Sequence, residues 1–120
     1  MEKVKLQKLV IDGVTYVPEN EVTKEVSDNY FIVRTYSAGV FAGEIVSRNA
    51  MEVEMKNARR LWYWDGAASL SQLAVEGVKK PQNCKFPVEV PKVILTQVIE
   101  IIPCTKESIN SIKGVPIWEQ

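Results

Sequence analysis

The sequence predicts an α+β domain: a small antiparallel β-sheet of five or six strands, two short helices, and an N-terminal hairpin or arm. Three observations carry that expectation. Segments rich in β-branched and aromatic residues recur between Tyr30 and Trp64 and again from Val93 to Ile102. Ser69–Gly77 and Thr105–Gly114 each open on a capping hydroxyl and close on glycine, as short helices do. Asp12-Gly13 stands between two apolar alternations, a strong short-range hairpin signal.

In chain order, Val4 to Val17 reads as the hairpin, stopped by Pro18. Glu19 to Asn29 is mostly polar and reads as a linker, although Val22 and Val26 are spaced for a short amphipathic turn. Residues 1–29 thus read as an arm suited to oligomerisation, and 30–120 as the compact α+β domain expected to carry any ligand site. Within it, Tyr30–Tyr36 and Val40–Ser47 are the first two strands, with Gly43 marking a bulge or the close approach of another backbone. Asn49 suits a left-handed turn residue. Glu52–Met55 alternates cleanly as a third strand, and Ala58–Trp64 is the fourth. Ser69 and Gln72 fit a capping box for the first helix. Phe86–Val90, interrupted by Pro87 and closed by Pro91, reads as an edge strand or irregular segment. Val93–Ile102, the longest β run, is expected to be the central strand. Thr105 caps the second helix, and Val115–Trp118 leaves as an extended tail.

Composition limits what the chain can do. Its 120 residues fit one domain, and 46% hydrophobic content with 25% charge is ordinary for a globular protein. Lysine plus arginine and aspartate plus glutamate number 15 each, which counts against bulk nucleic-acid binding. Histidine is absent, removing the commonest general base and metal ligand together. Cys84 and Cys104 stand far apart without a C-x-x-C, as free buried thiols do, and no metal or cofactor is expected. Neither a signal peptide nor a membrane-length apolar run is present, so the expected location is the cytoplasm. No G-x-S-x-G, G-x-G-x-x-G or P-loop occurs, and the carboxylates show no acid–base pairing; the chain is not expected to be an enzyme.

The stretch that concentrates recognition chemistry is Asn57–Gly77. Arg59-Arg60 precedes Leu61 and three consecutive aromatics, Trp62-Tyr63-Trp64; Asp65-Gly66 then turns the chain toward the Ser69 helix start. Adjacent strand residues face opposite sides, so one of Arg59 and Arg60 packs inward against a carboxylate or both stay at the surface. Arg60, Trp62 and Trp64 share a face, which is either core with a snorkelling arginine or a stacking platform. Arginine forks suit phosphates, aromatic faces suit flat rings, and helix N-termini suit anions.

The segments Arg34–Gly43 and Ala58–Ala74, with Asn83–Phe86 and Ile101–Thr105, resemble a family of small bacteriophage and prophage proteins, the Thoeris anti-defence sponges. The resemblance covers roughly residues 30–118. It implies a homo-oligomer that binds a cyclic ADP-ribose isomer, or a related cyclic nucleotide, and sequesters it without cleavage. On that expectation Arg59 or Arg60, then Arg34, contacts phosphate near the Ser69 helix start, and Trp62, Trp64, Tyr36 or Phe41 stacks on a ring. Alternatives from the residues alone are a structural or protein-interaction protein with exposed tryptophans as anchors, and a single-strand binder, which the zero net charge disfavours.

Overall fold

A computed structural model describes residues 9–11, 14–16 and 25–120. Strands β1 (Leu9–Ile11) and β2 (Val14–Tyr16) pair antiparallel, Leu9 opposite Tyr16 and Ile11 opposite Val14, which is the expected hairpin. Its turn residues, and most of the expected linker, lie outside the described residues. The end of that linker does not stay a linker: Val26–Asn29 opens strand β3 (Val26–Thr35).

β3, β4 (Val40–Asn49), β5 (Glu52–Arg60), β6 (Glu89–Leu95) and β7 (Val98–Thr105) form one antiparallel sheet in the order β6-β5-β4-β3-β7. Helix α1 (Leu70–Glu76) and helix α2 (Lys106–Gly114) complete the α+β domain. β6 and β7 lie at opposite ends of the order, yet only Thr96 and Gln97 separate them. The sheet must therefore curl until its ends approach. Val98 N–H donates to Met51 O, at the turn before β5, across the gap, while Tyr36 N–H to Gln97 O extends the β3–β7 pairing, both at 2.9 Å. Curling gives the sheet two apolar faces. Val33, Phe41, Val53, Met55, Leu95 and Val98 fill the inside. Ile32, Ala42 and Cys104 line the outside with Leu73, Ala74 and Ile112 of the helices. Adjacent Ile32 and Val33 serve one core each, as the period-two alternation requires.

Several strand expectations are corrected. Glu52–Met55 and Ala58–Trp64 are not two strands; β5 runs through Asn57 and ends at Arg60. Asn57 adopts φ 50° and is an extra residue opposite Gly43, since Ala42 pairs with Arg59 but Glu44 with Lys56. A Cβ on Gly43 would lie 2.7 Å from Ala58 Cα, so the expected bulge and close backbone approach are both present. Pro91 does not close a strand but sits inside β6, an edge strand, where a missing N–H costs no ladder bond. Val93–Ile102 is split between the two edges, and β4 is central instead. The left-handed turn residue is Ala50 (φ 55°), with Asn49 still in β4.

Both helices begin where expected. Ser69 Oγ accepts from Gln72 N–H at 3.2 Å, while Gln72 Oε1 reaches back one residue beyond the cap to Ala68 N–H. Thr105 Oγ1 accepts from Ser108 N–H and donates to Val75 O, tying the α2 cap to α1. Gly77 ends α1 at φ 76°, where a Cβ would strike the Ser111 side chain at 2.2 Å; only glycine lets the helices meet there. The C-terminal tail is docked: Ile117 bridges to Phe86, and Trp118 N–H donates to Phe86 O.

Candidate functional site

β5 presents Arg59 and Arg60 to opposite sides, as alternation predicts. Arg59 is only 5% exposed. Its Nε donates to Pro87 O (2.9 Å), one terminal nitrogen to Ile112 O (2.8 Å), and the other to Phe86 O (3.1 Å) and Val115 O (2.6 Å). The partners are backbone carbonyls, not the expected carboxylate. Two lie at the C-terminal end of α2: Ile112 O in its last turn, which also accepts from Val115 N–H at 3.3 Å, and Val115 O just past it, where negative carbonyl ends favour a cation. Burial pulls the guanidinium below its ordinary pKa, opposed by the charges of Tyr30 and Glu89. Arg59 is therefore committed to joining β5, the Phe86-Pro87 segment and α2, and is not a ligand contact.

Arg60 is exposed. Its guanidinium lies 4.4 Å from the centre of the Phe41 ring and donates to Ala38 O at 2.7 Å. The ring beneath and the carbonyl beside it fix the head group while leaving its other face and most of its donors open. Beyond Arg60 the chain leaves the sheet, held by the bonds of Leu61 N–H to Val40 O and Trp62 N–H to Lys85 O. Leu61 turns into the core. Trp62 stands 65% exposed, and Trp64 is half-buried against the helix-side core. Arg60, Trp62 and Trp64 thereby line one open cleft of about 350 Å³, whose opposite wall is the Ser37–Val40 turn. The turn is braced by Thr35, whose Oγ1 accepts from Ala38 N–H and donates to Gly39 O, both at 2.8 Å.

The remaining candidates fall elsewhere. Phe41 is 2% exposed with its accessible face under Arg60, so it supports that arginine and offers no free surface to a ring. Arg34 pairs with Glu100 across β3 and β7 at 2.8 Å. Tyr36 is exposed but lies outside the cleft lining. Ser69 uses its hydroxyl as the N-cap of α1, accepting from Gln72 N–H, and the cleft does not extend to it. The turn wall, Ser37 to Val40, was missed as part of a site; its one signal was the Ser37-Ala38-Gly39 break between strands.

Other reactive groups are used internally. Both cysteines are free and buried; burial raises both thiols, Cys104 to about 11. Tyr30 is raised too, chiefly by burial, and its hydroxyl has no hydrogen-bond partner among the described residues. Asp65 accepts from Asn83 Nδ2 at 3.0 Å. Among the described residues no cluster of His, Cys, Asp or Glu could hold a metal ion, and no helix is long and apolar enough to cross a membrane.

Fold and cleft together define a small α+β protein that sets an exposed arginine and two indoles beside a braced turn in one open cleft. Residues 28–112, which contain both walls of that cleft, match the family model described as Domain of unknown function (DUF6948), and the chain belongs to that family. No curated protein and no solved structure matches it.

Proposed function

We propose that this protein is a phage counter-defence sponge that binds a cyclic ADP-ribose isomer, or a related cyclic nucleotide, and holds it intact. The observation that carries the reading is the placement of Arg60, fixed on Phe41 with donors free, beside Trp62 and Trp64 in one open cleft. A guanidinium fork suits a pyrophosphate and an exposed indole suits an adenine face, so one cleft offers both contacts such a ligand needs. The resemblance of Arg34–Gly43 and Ala58–Ala74 to the anti-defence sponges points the same way. Sequestration favours an enclosed site, and this cleft is open on one side. In this reading a second copy of the chain supplies the missing wall, and exposed Tyr63, Ile117 and Trp118 serve as apolar contacts.

One experiment tests the reading. The protein is incubated with the cyclic ADP-ribose isomer, freed of excess by size exclusion with in-line mass measurement, and heated to release what it holds. The expected result is intact ligand recovered from a homo-oligomer. Degraded ligand would make the protein an enzyme, and no retained ligand would leave the interaction-protein reading in its place.

A further inference from the structure

Arg60 borders a second cleft. On the side away from the tryptophans lies a depression of about 240 Å³, walled by Ala58, Pro87, Val88, Val90, Lys92 and Val93, with Phe41 at its base. Arg60 belongs to both linings and forms the ridge between them. The two lobes differ in chemistry. The first has indoles and the polar Ser37–Gly39 turn; the second is mainly aliphatic, its Lys92 ammonium lying 3.7 Å from Glu54, and its rim residue Val88 is 57% exposed. Exposed valine beside Pro87, immediately before an edge strand, leaves apolar surface in water next to a fixed cation.

From this arrangement, and resting on the nucleotide reading above, we infer that the binding site has two lobes and takes a ligand with a ring system on each side of a phosphate group. The phosphate lies over Arg60, one ring stacks in the tryptophan lobe, and the second ring or sugar packs its less polar face on Val88, Pro87 and Val90. Such a ligand gains from both lobes at once because the second contact is intramolecular once the first is made. A single nucleotide engages only one lobe and the ridge. The site therefore selects by ligand length: dinucleotide-type molecules over mononucleotides. Arg60 is well suited to the ridge. Phe41 and Ala38 O hold it in place, and among the described residues it has no carboxylate partner to compete with a phosphate.

The test uses calorimetry with two probes, the cyclic ADP-ribose isomer and AMP, on the whole protein and on Val88→Gln. Val88 is exposed and precedes β6, so the variant is expected to keep the parent melting temperature. The expected result is that the parent binds the cyclic isomer at least about tenfold more tightly than AMP. Val88→Gln should erase that margin, weakening the isomer about tenfold and leaving AMP within about twofold. Val88→Trp, which fills the lobe without charge, should do the same. If the isomer binds but neither Val88 variant changes its affinity, the second lobe is not used and the inference falls while the sponge reading stands. If the parent binds neither probe, both fall.

Discussion

Arg59 and Arg60 are covalent neighbours on β5 with opposite environments. The first is buried among four carbonyls from Phe86, Pro87, Ile112 and Val115. The second rests on one aromatic ring, touches one turn carbonyl and faces open space. The difference follows from what lies on each side of the sheet. On the Arg59 side, α2 ends and leaves carbonyls that need donors, and a planar cation with five N–H groups satisfies several at once. On the Arg60 side, Phe41 and the Ser37–Gly39 turn supply a platform but few acceptors, so the cation keeps donors for another molecule. The same side chain, one residue apart, is a structural fastener in one place and, in the function proposed above, a recognition group in the other.

The contrast is broken most forcefully at Arg59. Phe86 O and Ile112 O keep backbone donors from Trp118 and Val115, so Arg59→Ala strips Pro87 O and Val115 O, at about 1–3 kcal/mol each. With the lost packing of the buried stem, set against local relaxation and water entry, the domain is expected to lose roughly 2–4 kcal/mol. The melting temperature should then fall by more than about 10 °C. Arg59→Lys should land between the two, because an ammonium cannot fork to carbonyls on three segments. A melting temperature for Arg59→Ala within about 2 °C of the parent would show that the carbonyls find water and that Arg59 is not a fastener.

Arg60→Ala is expected to behave in the opposite way. A charge-assisted hydrogen bond to phosphate is worth roughly 1.5–3 kcal/mol, so ligand affinity should fall about ten- to a hundredfold. The fold loses an exposed cation–π contact of about 0.5–1 kcal/mol and an exposed bond to Ala38 O that water can replace. Equilibrium dialysis against the cyclic ADP-ribose isomer, run beside a thermal melt, separates the two effects. Undiminished affinity in a folded Arg60→Ala protein would remove the cleft from consideration.

That Arg59 and Arg60 take opposite faces was legible, because alternation is local. Which of them is buried was not: the deciding carbonyls, Ile112 O and Val115 O, lie 53 and 56 residues downstream. The helix caps at Ser69 and Thr105 were legible for the same reason as the alternation, each being a bond between residues three apart. Strand limits were less so. Pro91 stops a strand only where its N–H is needed, and nothing local says that β6 is an edge. The break at Thr96-Gln97 carries no glycine or proline; it is fixed by the curl of the sheet, through Val98 N–H on Met51 O. In the site, the Arg60–Trp62–Trp64 grouping could be read from spacing. Phe41 could not be placed, because an aromatic on a strand reads alike whether it supports a cation or stacks on a ligand. The turn wall at Ala38 acts through a backbone carbonyl, which no side chain announces.

Arg34 gives the smallest expected effect and the sharpest control. It was the next candidate for a phosphate contact, and like Arg60 it is exposed. Its Nε, however, is 2.8 Å from Glu100 Oε1, with both side chains more than two-fifths exposed. A carboxylate partner cancels most of the field that would attract a phosphate, and the pair stands outside both clefts. Exposed pairs contribute about 0.2–1 kcal/mol, less as salt rises. Arg34→Ala should therefore move the melting temperature by only a few degrees and leave ligand affinity within about twofold. A double-mutant cycle with Glu100→Ala should give a coupling below about 1 kcal/mol that shrinks in high salt. A tenfold loss of ligand affinity in Arg34→Ala would mean that an exposed, paired arginine reads the phosphate. The features that single out Arg60, an aromatic base and no carboxylate partner among the described residues, would then not be what makes an arginine a recognition group in this fold.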